Sequence, residues 1–231
     1  LPNDEKPQPL IGSVMHGEGE QPTDFPQIHI SLEAANVLLS KTGFTISDCQ
    51  TKIDEKKKPL SMNLTTKAQI EVNAVYEKDA RTMNVVAMIE GKDEKLKEEY
   101  VIIGAHLDHV GSQAGLLFPG ANDNASGSAA VLEIAEAFIN GGVEPKRSVL
   151  FVLFASEEQG LFGAKHFVES WKKGYDRIAA MINLDCVGHG DSIQVGNGLS
   201  APILWEIANQ TDETSFNSMV DRTWSGGGAD A

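Results

Sequence analysis

His106-Leu107-Asp108, Asn122-Asp123-Asn124, Glu157-Glu158 and Asp185 are the places where this chain can do chemistry, and a Gly-rich stretch from Gly226 to Ala231 closes the sequence. One imidazole and several carboxylates form the donor set that a divalent cation takes, and Zn²⁺ suits such nitrogen and oxygen ligands. In His106-x-Asp108 the imidazole can bind metal. The acid two residues on shares its side of an extended segment and can orient the ring. Glu157 and Glu158 can divide two tasks, one holding metal and the other moving protons. A carboxylate at the edge of an apolar core has its pKa raised, as a general base requires. Each cluster also has a plainer reading. Asp123 with its flanking asparagines can cap a helix, and adjacent acids at a helix start can complement its dipole.

The elements around these residues make the chemical reading the stronger one. Tyr100–Ala105 and Ser148–Phe154 are short, almost wholly apolar runs, the pattern of strands buried on both faces. Ile178–Leu184 is a third strand, Val85–Ile89 another, and Ile193–Val195 a short one. His106, Glu157-Glu158 and Asp185 each fall at or just past a strand's C-terminal end, the edge where open α/β sheets bind ligands. Between the strands, helices are predicted over 125–139, with Leu132, Ala135, Phe138 and Ile139 facing inward, over 161–172, and over 201–210 with Ser200 as cap. This alternation is an α/β fold.

Upstream, residues 1–27 read as Pro- and Gly-rich loop. A short strand is expected at Ile28–Ile30, a Ser31-capped helix over 32–40, an exposed connection over 50–59, and an alternating strand over 64–76. The net charge of −14, from 19 basic and 33 acidic residues, excludes a general nucleic-acid binder, which needs a basic face. No apolar run reaches transmembrane length. Cys49 and Cys186 have no metal-binding spacing, and Cys186 is expected to be a buried small hydrophobe. His109 is expected to be only a neighbour of His106.

Four stretches carry a resemblance: Ile103-Gly104-Ala105-His106-Leu107-Asp108-His109, Gly120 through Gly127, Phe154 through Gly163, and Ile182-Asn183-Leu184-Asp185. They resemble, in order and context, the zinc aminopeptidase family with two co-catalytic metals. The resemblance implies a three-layer α/β sandwich with a mixed, largely parallel sheet over residues 61–231. Residues 1–60 resemble the tail of a protease-associated domain. It implies that His106 and Asp185 hold one zinc, that Asp123 bridges two, and that Glu158 holds the second. Glu157 would be the general base and Asp108 would support His106. It further implies removal of N-terminal amino acids from peptides through metal-activated water, by an exported, extracytoplasmic protein. The family supplies one more His near the C-terminus, in a Ser-Asp-His segment. Here Asp230 can align with that Asp, which leaves Ala231 where His is expected. Either the chain stops short of that ligand or the ligand is replaced, and in both cases the first zinc site is better founded than the second. The catalytic domain reads as cut short. Two alternatives accompany this reading. One is a carboxypeptidase of the glutamate carboxypeptidase type, with Arg177 or Arg222 gripping a substrate carboxylate. The other is a non-catalytic binding protein on the same fold.

Overall fold

A computed structural model describes residues 28, 30–71, 77, 79–113, 116–196, 198, 201–222 and 230. The chain divides into two compact units: one built mainly from residues up to Ala80 with Ser112–Leu116, the other from Arg81–Gly111 and Leu117 onward.

In the first unit, α1 (Leu32–Leu39) begins at Ser31, whose hydroxyl accepts the Ala34 N–H, as expected. Helix α2 (Ile46–Lys56) occupies much of the segment read as a connection. Thr45 and Asp48 cap it reciprocally, each side chain accepting the other's N–H, and Lys57 closes it in a left-handed conformation. The charges of Asp54, Glu55 and Lys56 thus lie along an exposed helix. Ile28 and Ile30 are not in a strand, and His29 lies outside the described residues. Residues 64–71 are likewise irregular, while Val72–Tyr76 lie outside the description. Alternation alone does not make a strand without a partner edge.

The second unit is a four-stranded mixed sheet made of β1 (Val85–Ile89), β2 (Tyr100–His106), β5 (Ser148–Phe154) and β6 (Ile178–Asn183), in the order β1-β5-β2-β6. Strand β1 runs antiparallel to β5, whereas β5, β2 and β6 are mutually parallel. Two three-residue strands, β3 (Gly111–Gln113) and β4 (Leu116–Phe118), follow β2. A separate parallel pair, β7 (Ile193–Gly196) and β8 (Met219–Arg222), flanks α5 (Pro202–Ser215) in sequence. Helix α5 is longer than predicted and starts from Ala201 without a side-chain cap; Ser200 lies outside the description.

Helices cover both faces of the main sheet, giving three layers. Successive residues of a strand point to opposite faces. Tyr100, Ile102, Leu150, Val152 and Phe154 therefore pack on Ala164, Phe167 and Trp171 at α4 (Phe162–Ser170). Ile103, Ala105, Val149 and Phe151 pack on the other side against α3 (Gly127–Asn140). The buried stripe of α3 is Val131, Ile134, Ala135 and Phe138, at i, i+3, i+4 and i+7. Leu132 and Ile139, expected inside, are 61% and 71% exposed. They sit one position off that stripe, each about 100° around the helix.

Candidate metal centre

The parallel strands determine where the chemistry falls. In the order β5-β2-β6 three C-terminal ends lie side by side, about 4.8 Å from one to the next. His106 ends the middle strand, in register with Phe154 on β5. Glu157 and Glu158 follow Phe154 after a turn through Ser156, at φ 55°. On the other side Gly104 is in register with Asn183, so Asp185, two residues on, comes level with His106. Asp123 arrives from a single π-type turn, Ala121–Ser126, ahead of α3. The Asp123–Asn124 peptide bond is cis.

These side chains converge. His106 Nε2 lies 3.3 Å from Asp123 Oδ1, 3.6 Å from Asp185 Oδ1 and 4.0 Å from Glu157 Oε2. The ring is 1% exposed. Its Nδ1 is 3.1 Å from the main-chain carbonyl of Asp108, which can only accept a hydrogen bond, so Nδ1 carries hydrogen and Nε2 is the atom aimed at the acids. Ligand atoms of His106, Asp123 and Asp185 all lie within 4.8 Å of one another, and so do those of His109, Asp123 and Glu158. Asp123 belongs to both sets.

The Asp108 carboxylate is 3.9 Å from His106 Nδ1, so direct support for the ring comes from the Asp108 main chain. The carboxylate itself accepts two N–H groups, from Glu157 at 3.0 Å and Glu158 at 3.3 Å. It fixes the turn that carries both glutamates.

Asn124 is the other fastener. Fully buried, it donates from Nδ2 to the Leu184 carbonyl, while its Oδ1 accepts from Gly127 N–H and, at 3.4 Å, from Cys186 N–H. The loop of Asp123 is thereby tied to the strand end of Asp185. Gly127 completes the joint, since a Cβ there would collide with the Leu184 carbonyl and with Asn124 Oδ1. Ser128 donates to the His106 carbonyl, and Asn84 joins the Ala155 N–H to the Gly163 carbonyl. The sequence marked Asn124 only as flanking a capping acid.

The electrostatics are those of a place waiting for positive charge. Burial disfavours a charged His106, but contact with Asp185 and the charges of Glu157 and Asp185 outweigh it and raise its pKa to about 9. The same contact with His106 holds Asp185 below the usual carboxylate range. Burial, reinforced by Asp230, Glu158 and Asp185 against the opposing His106, pushes Glu157 up to about 7. A proton on His106 Nε2 and a divalent cation compete for one position. Among the described residues Asp185 Oδ1 is buried without a hydrogen-bond partner, which a metal ligand would gain. One imidazole and carboxylates around a shared acid fit zinc.

Two residues outside the expected set enter the site. His109 Nδ1 lies 2.5 Å from Glu158 Oε1 and 3.9 Å from Asp123 Oδ1. Asp230 is buried, has neither carboxylate oxygen partnered among the described residues, and sits close enough to Glu157, Asp108 and Asp185 for their charges to couple with its own. Its pKa is raised to about 6, chiefly by burial, with His106 opposing and Asp108 and Asp185 reinforcing. Cys186 is exposed, not buried, because residue 186 adopts φ 53° in the turn leaving Asp185. His189 is exposed and in neither ligand set. Arg177 precedes β6 at the end opposite Asp185, about 20 Å away over six strand residues, too far to grip a substrate at the acids.

Residues 84–222 match the family model described as peptidase family M28. Among curated relatives, a "Probable leucine aminopeptidase" of Arthroderma otae is 32% identical over 148 residues, 61% of this chain and 37% of that protein. A "Probable zinc metalloprotease" of Pyrenophora teres f. teres is 40% identical over 110 residues, 46% of this chain and 22% of that protein. Among solved structures, a zinc aminopeptidase from Bacillus subtilis superposes with a TM-score of 0.53 at 30% identity, covering 64% of this chain and 35% of that one. The chain thus spans well under half the length of these relatives.

Proposed function

Since the chain belongs to peptidase family M28, we propose that it forms the metal-binding heart of a zinc exopeptidase that removes N-terminal amino acids from peptides. The observation that carries this reading is the pair of ligand sets joined through Asp123, with Glu157 beside them. His106, Asp123 and Asp185 would hold one ion, and Asp123 with Glu158 a second. Zinc, when bound, lowers the pKa of a coordinated water to about 7 and polarises a carbonyl.

Glu157 is the proton carrier in this reading. Its Oε2 faces His106 Nε2 across 4.0 Å, and its carboxyl is 13% exposed. A buried carboxylate whose pKa stands near neutrality accepts a proton from attacking water and returns it to the departing amine nitrogen. Asp108 holds the Glu157 main chain so that the carboxylate keeps this position. The acids also give a free substrate ammonium a counter-charge, which favours an unblocked N-terminus. The names of the aminopeptidase relatives support the same choice. The carboxypeptidase alternative gains no support among the described residues: Arg177 stands at the far end of β6, and the side chain of Arg222 lies outside the description. Among the described residues no helix is long and apolar enough to cross a membrane.

The test compares hydrolysis of an aminoacyl amide with that of its N-acetylated counterpart, before and after chelation and zinc return. Zinc-dependent cleavage of the free amine alone is expected. Preferential cleavage of the blocked substrate would refute the aminopeptidase reading.

A further inference from the structure

We propose that His109 supplies the imidazole of the second cation site, completing a set with Glu158 and the shared Asp123. The inference rests on the two-ion reading given above and adds a ligand to it. His106 is bracketed by Asp185 and Asp123, and His109 is bracketed in the same way by Glu158 and Asp123. Each half of the centre then offers one imidazole nitrogen, one carboxylate of its own and one oxygen of the common acid, the donor types that zinc takes. His109 Nδ1 and Glu158 Oε1 are 2.5 Å apart and both side chains are only about a fifth exposed, so the two ligand atoms are held together away from bulk water.

The backbone is shaped to allow this. His109 folds against Gly120, which sits at φ 67° one turn ahead of Asp123. A Cβ at position 120 would stand 2.6 Å from His109 Cβ and 2.8 Å from both His109 Cγ and the Asp123 carbonyl. Glycine there satisfies the left-handed conformation. It also brings the His109 ring and the Asp123 loop into one small space. A bare His–Glu hydrogen bond would give the same short contact without metal, and the experiment separates the two.

The full chain is stripped with a chelator and titrated with Co²⁺, reading bound metal per chain by elemental analysis and the ligand-field spectrum by absorption. Wild type should take two equivalents. His109→Ala should keep the first and bind the second more than about 100-fold more weakly, a loss at or above that for removing an outer-shell partner. His106→Ala should instead lose the other equivalent. His109→Cys retains a ligating side chain, and its second equivalent should bring a thiolate-to-cobalt charge-transfer band. Two equivalents of unchanged affinity in His109→Ala, with no thiolate band in His109→Cys, would overturn the role of His109 while leaving the two-ion reading intact. A wild type that takes one ion, sensitive to His106→Ala alone, would overturn it in favour of a one-metal centre. A wild type that takes none would overturn it together with the peptidase reading.

Discussion

Replacing Asp108 tests how the glutamates are held. Asp108→Ala removes the acceptor for two main-chain N–H groups, those of Glu157 at 3.0 Å and Glu158 at 3.3 Å. A hydrogen bond to a charged acceptor is worth about 1.5–3 kcal/mol. The first bond has good length and the second is long for its type. The carboxylate is also about a quarter exposed, so water replaces part of what is lost. About 2 kcal/mol for the first bond and about 1 kcal/mol for the second is a fair sum. If that energy holds Glu157 in its working position, about 3 kcal/mol corresponds to a fall in kcat of roughly 100-fold. KM should change little, because Asp108 faces the main chain of the turn. Asp108→Asn keeps one acceptor oxygen and turns an amide donor towards the other N–H, so a loss of roughly 10-fold is expected. Steady-state kinetics on an aminoacyl amide, with zinc content measured alongside, reads both variants. Wild-type kcat in Asp108→Ala at full zinc occupancy would refute the positioning argument.

Glu157→Gln should retain zinc and lose turnover by roughly 10²–10⁴-fold, as removal of a general base does; activity near that of wild type would exclude Glu157 from that role. Asn124→Ala should lower stability by about 3 kcal/mol, from three lost hydrogen bonds and buried groups left unpaired, and should weaken zinc binding, both measurable by denaturant titration with and without metal. An unchanged midpoint would show that the loop and strand do not depend on that side chain. Chelated protein should lose stability as pH rises, because the folded-state pKa values of Asp230, Glu157 and His106 stand above their unfolded ones. Asp230, at about 6 against 3.8, and Glu157, at about 7 against 4.5, each take their contribution away between those values, and His106, at about 9 against 6.5, does so above neutrality. Melting temperatures across that range should fall, with the lower part of the fall reduced in Glu157→Gln and the whole reduced by zinc; a curve unaffected by either would contradict these shifts.

The sheet was readable from the chain because its strands are nearly continuous apolar runs, as in Ser148–Phe154, where six apolar residues follow the serine. The positions of His106, Glu157 and Asp185 followed, since parallel strands place their C-terminal ends together. What stayed hidden depends on contacts distant in sequence. His109 reaches Glu158 across 49 residues, and only the fold of the Gly120 turn reveals that meeting. Asn124 reads as a cap, and its Oδ1 does accept the Gly127 N–H, but its other partners, Leu184 and Cys186, are about 60 positions away. The α3 stripe holds the expected Ala135 and Phe138, but Val131 and Ile134 take the places expected for Leu132 and Ile139, as happens when apolar residues are spread around a helix. Helix α2 had a readable signal: Thr45 and Asp48 have capping-box spacing, with Asp in place of the usual Glu.

Anomalous scattering at the zinc edge, from crystals of the protein grown with zinc, tests the central claim most directly. A peak about 2.0–2.2 Å from His106 Nε2 and from oxygens of Asp123 and Asp185 is the expected result. Zinc bound elsewhere, with those three side chains uncoordinated, would contradict it.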